Sequence, residues 1–228
     1  MQNLSHPSGG ASLLLQLADS AFPTGGFAHS QGLEAWAQLS GISGRPALGR
    51  FLDEAVVQAA HGGLPFVYAA HDDAGEVRAI DRAAELFLRA PVANRASRAQ
   101  GRAFVGTAAE VFELPEVQRV AAAVRARETP GHHAPHFGAV CAMVGLARAD
   151  TGRAFLHLAL RGVASAAVRL GLFGPLEAQR AQLARGPLVS DLLVRCDALG
   201  VSDAVQTAPL LEMFGEHHDR LYSRLFQS

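Results

Sequence analysis

The chain has 228 residues, 49% of them apolar, with 20 basic groups, 21 acidic groups and 10 His, for a formal net charge of −1. Every basic group is Arg, which excludes chemistry that needs a Lys atom: a Walker A loop, a Schiff base, a PLP site or a protein kinase. A chain this long buries roughly 70% of its extended surface, enough for a core without staples, and its near-zero charge argues against a nucleic-acid binder.

Cys141 and Cys196 are the only cysteines and have no CxxC or CxxH spacing, so neither a disulfide framework nor a zinc site is expected. Residues 13–17 are too short for a signal-peptide core, and no apolar run reaches the ~18 residues of a membrane span. A cytoplasmic protein that is not membrane-bound is the expectation.

In chain order, residues 1–10 are rich in Ser, Gly and Pro and read as a disordered leader before one domain over 11–228. The motif Phe22-Pro23-Thr24-Gly25-Gly26-Phe27 then joins two helical segments. It has no preceding strand and no GxGxxG, so a helix–helix turn suits it better than a phosphate cradle. Ser30 is placed to cap the helix that carries Leu33, Glu34 and Trp36. Further breaks fall at 41–46, Gly62-Gly63, 72–75, Ala90-Pro91, Leu114-Pro115, 129–135, Thr151-Gly152, 171–175 and Gly186-Pro187. Between them, apolar residues recur with helical periodicity and never alternate as strands do. The fold class is therefore all-α, a single compact domain of about ten short helices.

The segment 153–170 is the natural central helix. Leu156, Leu160, Val163, Ala167 and Leu170 fall within about 80° of one another at 100° per residue, while Arg161, Ser165 and Arg169 gather on the opposite side. Because Leu158 and Val168 border that polar side, the arginines emerge through a narrow strip, either as structural pairs or as contacts for a partner.

His132, His133 and His136 are metal suspects, since imidazole suits nickel, copper and zinc. Pro135 between them excludes a regular helical i,i+4 site, and His217-His218 is equally ambiguous. Asp53-Glu54 and Asp72-Asp73 point apart or lie in a turn and make no acid/base dyad. Serine-nucleophile signatures are absent. No enzyme active site is recognisable.

The C-terminus is unlike a disordered tail. Phe214, Leu221, Tyr222, Leu225 and Phe226 alternate with His218, Arg220 and Arg224, and the i,i+4 pairs suggest a short helix that docks on its own domain or on another chain.

Three segments together resemble the urease accessory protein F (UreF) family. They are Leu14-Leu15-Gln16-Leu17 through Pro23-Thr24-Gly25-Gly26-Phe27 to Gly32-Leu33-Glu34; His136-Phe137 through Ser165 to Arg169-Leu170 and Gly174-Pro175-Leu176-Glu177; and the ending His218-Asp219-Arg220-Leu221-Tyr222-Ser223-Arg224-Leu225-Phe226-Gln227-Ser228. The chain departs from the family's usual pattern at Ala28-His29, Cys141-Ala142, Asp219 and Gln227.

The resemblance implies a non-enzymatic helical homodimer that binds the accessory protein UreD (UreH in some organisms). That pair would recruit the GTPase UreG and couple GTP hydrolysis to nickel insertion into apo-urease. It implies that Glu34, Arg169 and Arg224 face the GTPase; if the tail docks on another chain, Arg220, Leu221, Tyr222, Leu225 and Phe226 make that contact. No cofactor is expected to stay bound, with nickel at most in transit. The alternative reading is a self-contained nickel metallochaperone using His132, His133, His136 and His218.

Overall fold

The computed structural model describes residues 7–23, 25–40 and 44–227. Among the described residues there are eleven α-helices and no strand. They are α1 (Pro7–Ala18), α2 (Leu33–Leu39), α3 (Arg45–Asp72), α4 (Val77–Phe87), α5 (Pro91–Phe112), α6 (Pro115–Arg125), α7 (His133–Met143), α8 (Arg148–Arg169), α9 (Pro175–Ala184), α10 (Gly186–Arg195) and α11 (Pro209–His217). Pro stands at the start of α3, α5, α6, α9, α10 and α11. There its missing N–H costs nothing and its fixed φ is already helical. Of the leader expected over 1–10, residues 1–6 lie outside the described residues, and 7–10 form the first turn of α1.

The centre is shared rather than held by one helix. α3 packs against both α7 and α8, α5 covers α7 from the other side, and α4 closes over α7 beside α3. The outer elements attach to this core: α1 and α9 on α8, α6 on α5, and α11 between α2 and α5. Phe104, Phe137 and Phe155 meet at its heart, with centroids 5.1 Å apart for Phe104 and Phe137 and 5.7 Å for Phe137 and Phe155.

Two expected breaks are helix interiors. Gly62-Gly63 and Pro65 lie within the 28-residue α3, and Thr151-Gly152 lies within α8, which begins five residues earlier than its periodicity indicates. The glycines serve close packing. A Cβ on Gly63 would fall 2.6 Å from the Phe155 ring, one on Gly152 2.1 Å from the Tyr68 hydroxyl, and one on Gly138 2.0 Å from the Val67 carbonyl oxygen. Pro65 removes the N–H that would bond the His61 carbonyl, and Val205 N–H donates to that oxygen instead, at 3.3 Å. A helix that buries fourteen residues tolerates these breakers, because tertiary packing outweighs local propensity.

Glycines of the two kinds should respond oppositely to a methyl group. Gly138→Ala is expected to lower stability by about 2–4 kcal/mol, since backbone rather than a flexible side chain must move. Gly106, in α5 with nothing within 4 Å of its Cβ direction, should gain about 0.5–1 kcal/mol on substitution by Ala. Urea unfolding of both variants checks the pair.

Candidate functional site

The site is built where the chain's first turn meets its last residues. Gly25 and Gly32 adopt left-handed backbone conformations, with φ 73 and 84. A Cβ on Gly32 would lie 2.9 Å from the Leu211 carbonyl oxygen, so this glycine lets α11 close on the start of α2. Ser30 Oγ accepts the Glu34 N–H at 3.4 Å, and so caps α2 although Gly32 holds the N-cap position.

Glu34 sits in the first turn of α2, where a carboxylate is favoured by the helix dipole, and is only 2% exposed. Its carboxylate accepts three hydrogen bonds from the tail: His218 Nε2–H at 3.0 Å, Leu225 N–H at 2.6 Å and Phe226 N–H at 3.2 Å. Gln227 N–H donates to the Ala28 carbonyl at 2.8 Å, and Gln38 Nε2 to that of Ser223 at 3.3 Å. Asp219 pairs with Arg95 at 2.5 Å and faces Arg224 at 3.7 Å.

This geometry revises the tail helix expected over Leu221 and Leu225. After a 3-10 turn at His218–Arg220 the chain is irregular. The amides of Leu225 and Phe226 are spent on Glu34 and are no longer available to carbonyls four residues back. The tail docks on its own chain. Phe226 is buried and Leu221 half-buried, while Arg220, Tyr222, Arg224 and Leu225 remain exposed, Tyr222 completely.

Arg169, the last residue of α8, completes the arrangement. Its guanidinium carbon lies 3.7 Å from the Phe27 ring centroid and 4.1 Å from that of Phe226, a flat cation between two aromatic faces. Its Nε has no acceptor, and no carboxylate among the described residues pairs with it. Burial lowers its pKa from the ordinary Arg value. Glu34 and Arg169 are thus brought together through Phe226, whereas Arg224 lies outside on the exposed surface of the tail.

The histidines take separate structural positions. His132 is the N-cap residue of α7, its Nε2 2.6 Å from Glu85 and its Nδ1 3.2 Å from Ser97 Oγ. Pro135 does not prevent the helix, because it occupies the first turn, where no N–H partner is needed. His136 therefore follows at i,i+4, with Nδ1 donating to the His132 carbonyl at 2.9 Å. His133 stacks on Phe155 with a centroid separation of 5.7 Å. His218 is held at Glu34. Among the described residues, no three His, Cys, Asp or Glu side chains gather as metal ligands.

A residue that sequence reasoning missed, Asp81 on α4, is fully buried. It accepts from Thr129 Oγ1, from Gly131 N–H at 2.7 Å and from His132 N–H at 2.8 Å, and so fastens the α6–α7 loop. Only its position on the inner face of an amphipathic helix could have signalled this. Phe27 and Phe226 were legible as aromatics but not as two faces of one cation site.

Two outcomes follow for the site. Glu34→Ala strips the acceptor from three enclosed donors; a loss of about 3 kcal/mol is expected, with loss of hydrogen-exchange protection at the Leu225 and Phe226 amides.

The second outcome concerns pH. Burial, then repulsion from His136 and His29, pushes the His133 pKa down to about 4. The unfolded chain, with an ordinary His, binds more protons between pH 6.5 and 4, so stability falls on acidification through that window. Burial lowers His136 and His29 in the same direction. Urea midpoints should drop between pH 7 and pH 5, and drop less in His133→Phe.

Taken together, the fold and site define a helical protein organised around a tail latched to a buried carboxylate, with no metal-ligand cluster among its described residues. Comparison with known proteins supplies its family. The UreF family model matches residues 42–185. A urease accessory protein F from Oryza sativa subsp. indica is 37% identical over 215 residues, covering 92% of this chain and 82% of its own length. The protein of the same name from Arabidopsis thaliana is 37% identical over 217 residues, covering 93% and 90%. A urease accessory protein UreF from Trichodesmium erythraeum is 29% identical over 222 residues, covering 93% and 94%. The chain belongs to the UreF family of urease accessory proteins, which supports a role in urease maturation.

Proposed function

We propose that this protein is a non-catalytic adaptor, working as a homodimer, that joins UreD (or UreH) and recruits the GTPase UreG. The assembly couples GTP hydrolysis to nickel insertion into apo-urease, and nickel is its cargo rather than a resident of this chain. The observation that carries the reading is the latched tail. Three bonds to Glu34, two from backbone amides and one from the His218 imidazole, hold the tail, while Tyr222 and Leu225 stay 104% and 61% exposed. Exposed aromatic and apolar side chains on a fixed backbone bind at low ordering cost, and Tyr and Arg are the usual interface anchors. No helix among the described residues is long and apolar enough to cross a membrane, in keeping with an adaptor that works in the cytoplasm.

An Arg supplied in trans can stabilise charge on a transferring phosphoryl group, and a scaffold can also restrain hydrolysis by holding switch loops. Gating suits this chain better, because Arg169 is clamped between two rings and Arg224 faces Asp219. Co-expression with UreD and UreG, followed by co-purification, tests the reading. Deleting residues 221–228 should remove the partners while helical circular dichroism is retained. Arg169→Ala and Arg224→Ala should weaken UreG recruitment and leave GTP turnover at saturating UreG within about twofold. A drop of a hundredfold or more at saturation would instead assign an arginine finger.

A further inference from the structure

The polar strip of α8 has a destination. Arg161, Ser165 and Arg169, one turn apart along the helix, all line a cavity of about 470 Å³, a volume suited to a ligand or a few side chains. The remaining wall includes Phe22, Phe155, Leu158 and Ala159. The cavity is therefore apolar on most sides and cationic along one edge.

The two cations differ. Arg161 is already engaged, donating to the Ala18 carbonyl. Arg169 makes no ion pair among the described residues, and its Nε is buried without an acceptor. Two carboxylates also reach the cavity: Glu216, which accepts the Val92 N–H at 2.8 Å, and Glu212, which pairs with neither arginine. Held face-on by Phe27 and Phe226, the Arg169 guanidinium can use its donors only in its own plane. A planar carboxylate approaching edge-on matches that fork, and the rings have already restricted the side chain's rotamers.

We propose that Arg169 is the receptor for a carboxylate side chain of a partner protein, whose neighbouring apolar side chains enter the cavity. The identity of the ligand as a protein segment rests on the adaptor reading. The pairing of one unpaired cation with an apolar hollow is what favours such a segment over a free inorganic anion, which would leave the apolar walls uncovered.

The test uses the full chain and two synthetic probes, acetyl-Leu-Glu-Leu-amide and acetyl-Leu-Gln-Leu-amide, titrated while the Arg169 Nε–H signal is followed by NMR. The Glu peptide should shift that signal and bind about tenfold more tightly than its Gln isostere, as expected for one charge-assisted contact. Arg169→Gln should abolish the preference. Arg169→Lys, which keeps the charge and loses the fork, should retain only part of it and guards against a folding defect in the first variant.

Equal affinity for the two peptides, no shift at millimolar peptide, a preference that survives Arg169→Gln, or equal competition by inorganic phosphate would each overturn the proposal. A chain that prefers the Glu peptide yet co-purifies with neither UreD nor UreG refutes the adaptor reading alone. One that recruits both and shows no preference refutes the receptor alone.

Discussion

A carboxylate with almost no access to water must find donors, and the Glu34 carboxylate finds them in the tail. Leaving Glu34 buried and unpaired would cost several kcal/mol, so the 2% exposure of its residue is sustainable only while His218, Leu225 and Phe226 are in place. The dependence runs both ways. The tail has little regular secondary structure of its own, and two of its backbone amides, those of Leu225 and Phe226, are satisfied by this one side chain. Phe226, fixed by its amide, then supplies one of the two faces that hold Arg169. A single buried charge thus ties together the start of α2, the end of α8 and the C-terminus.

The same device is used a second time in the core. Asp81, also fully buried, accepts two backbone amides and a hydroxyl from the loop before α7, much as Glu34 accepts two backbone amides and an imidazole from the tail. Both carboxylates lie on helices and capture irregular chain from elsewhere. An apolar contact could bury the same area, but it would not specify which amide lands where. Hydrogen bonds to charged groups are directional and strong enough to select one register for a loop. The asymmetry between the two lies in what the captured segment carries. The Asp81 loop leads inward to buried His132 and His136, whereas the Glu34 tail leaves Tyr222 and Leu225 facing outward.

How much of this was legible varies by residue. The all-α class and the polar strip of Arg161, Ser165 and Arg169 follow from periodicity alone, because burial of one helical face leaves a 3.6-residue imprint. The continuity of α3 through Gly62-Gly63 and of α8 through Thr151-Gly152 was not readable. A glycine that permits a turn and one that permits two helices to touch are the same letter, and only the neighbouring helix distinguishes them. Pro135 misled for a related reason: its effect depends on whether it falls in the first turn or further in. The tail was recognisable as ordered from its aromatics, but its pairing with Glu34 joins residues 184 to 192 positions apart, and no local pattern carries such information.

By itself, then, the amino-acid sequence determined the fold class, the absence of Lys chemistry and the residues whose order resembles the UreF family, since all of these reside in composition, local period and linear motif. The tertiary structure alone decided that Glu34 and the C-terminus are one unit, that Arg169 is stacked on two rings with no ion pair among the described residues, and that the histidines are dispersed among separate structural contacts. Those features depend on which distant groups share a desolvated space, and desolvation is a property of the packed molecule rather than of any segment of its chain.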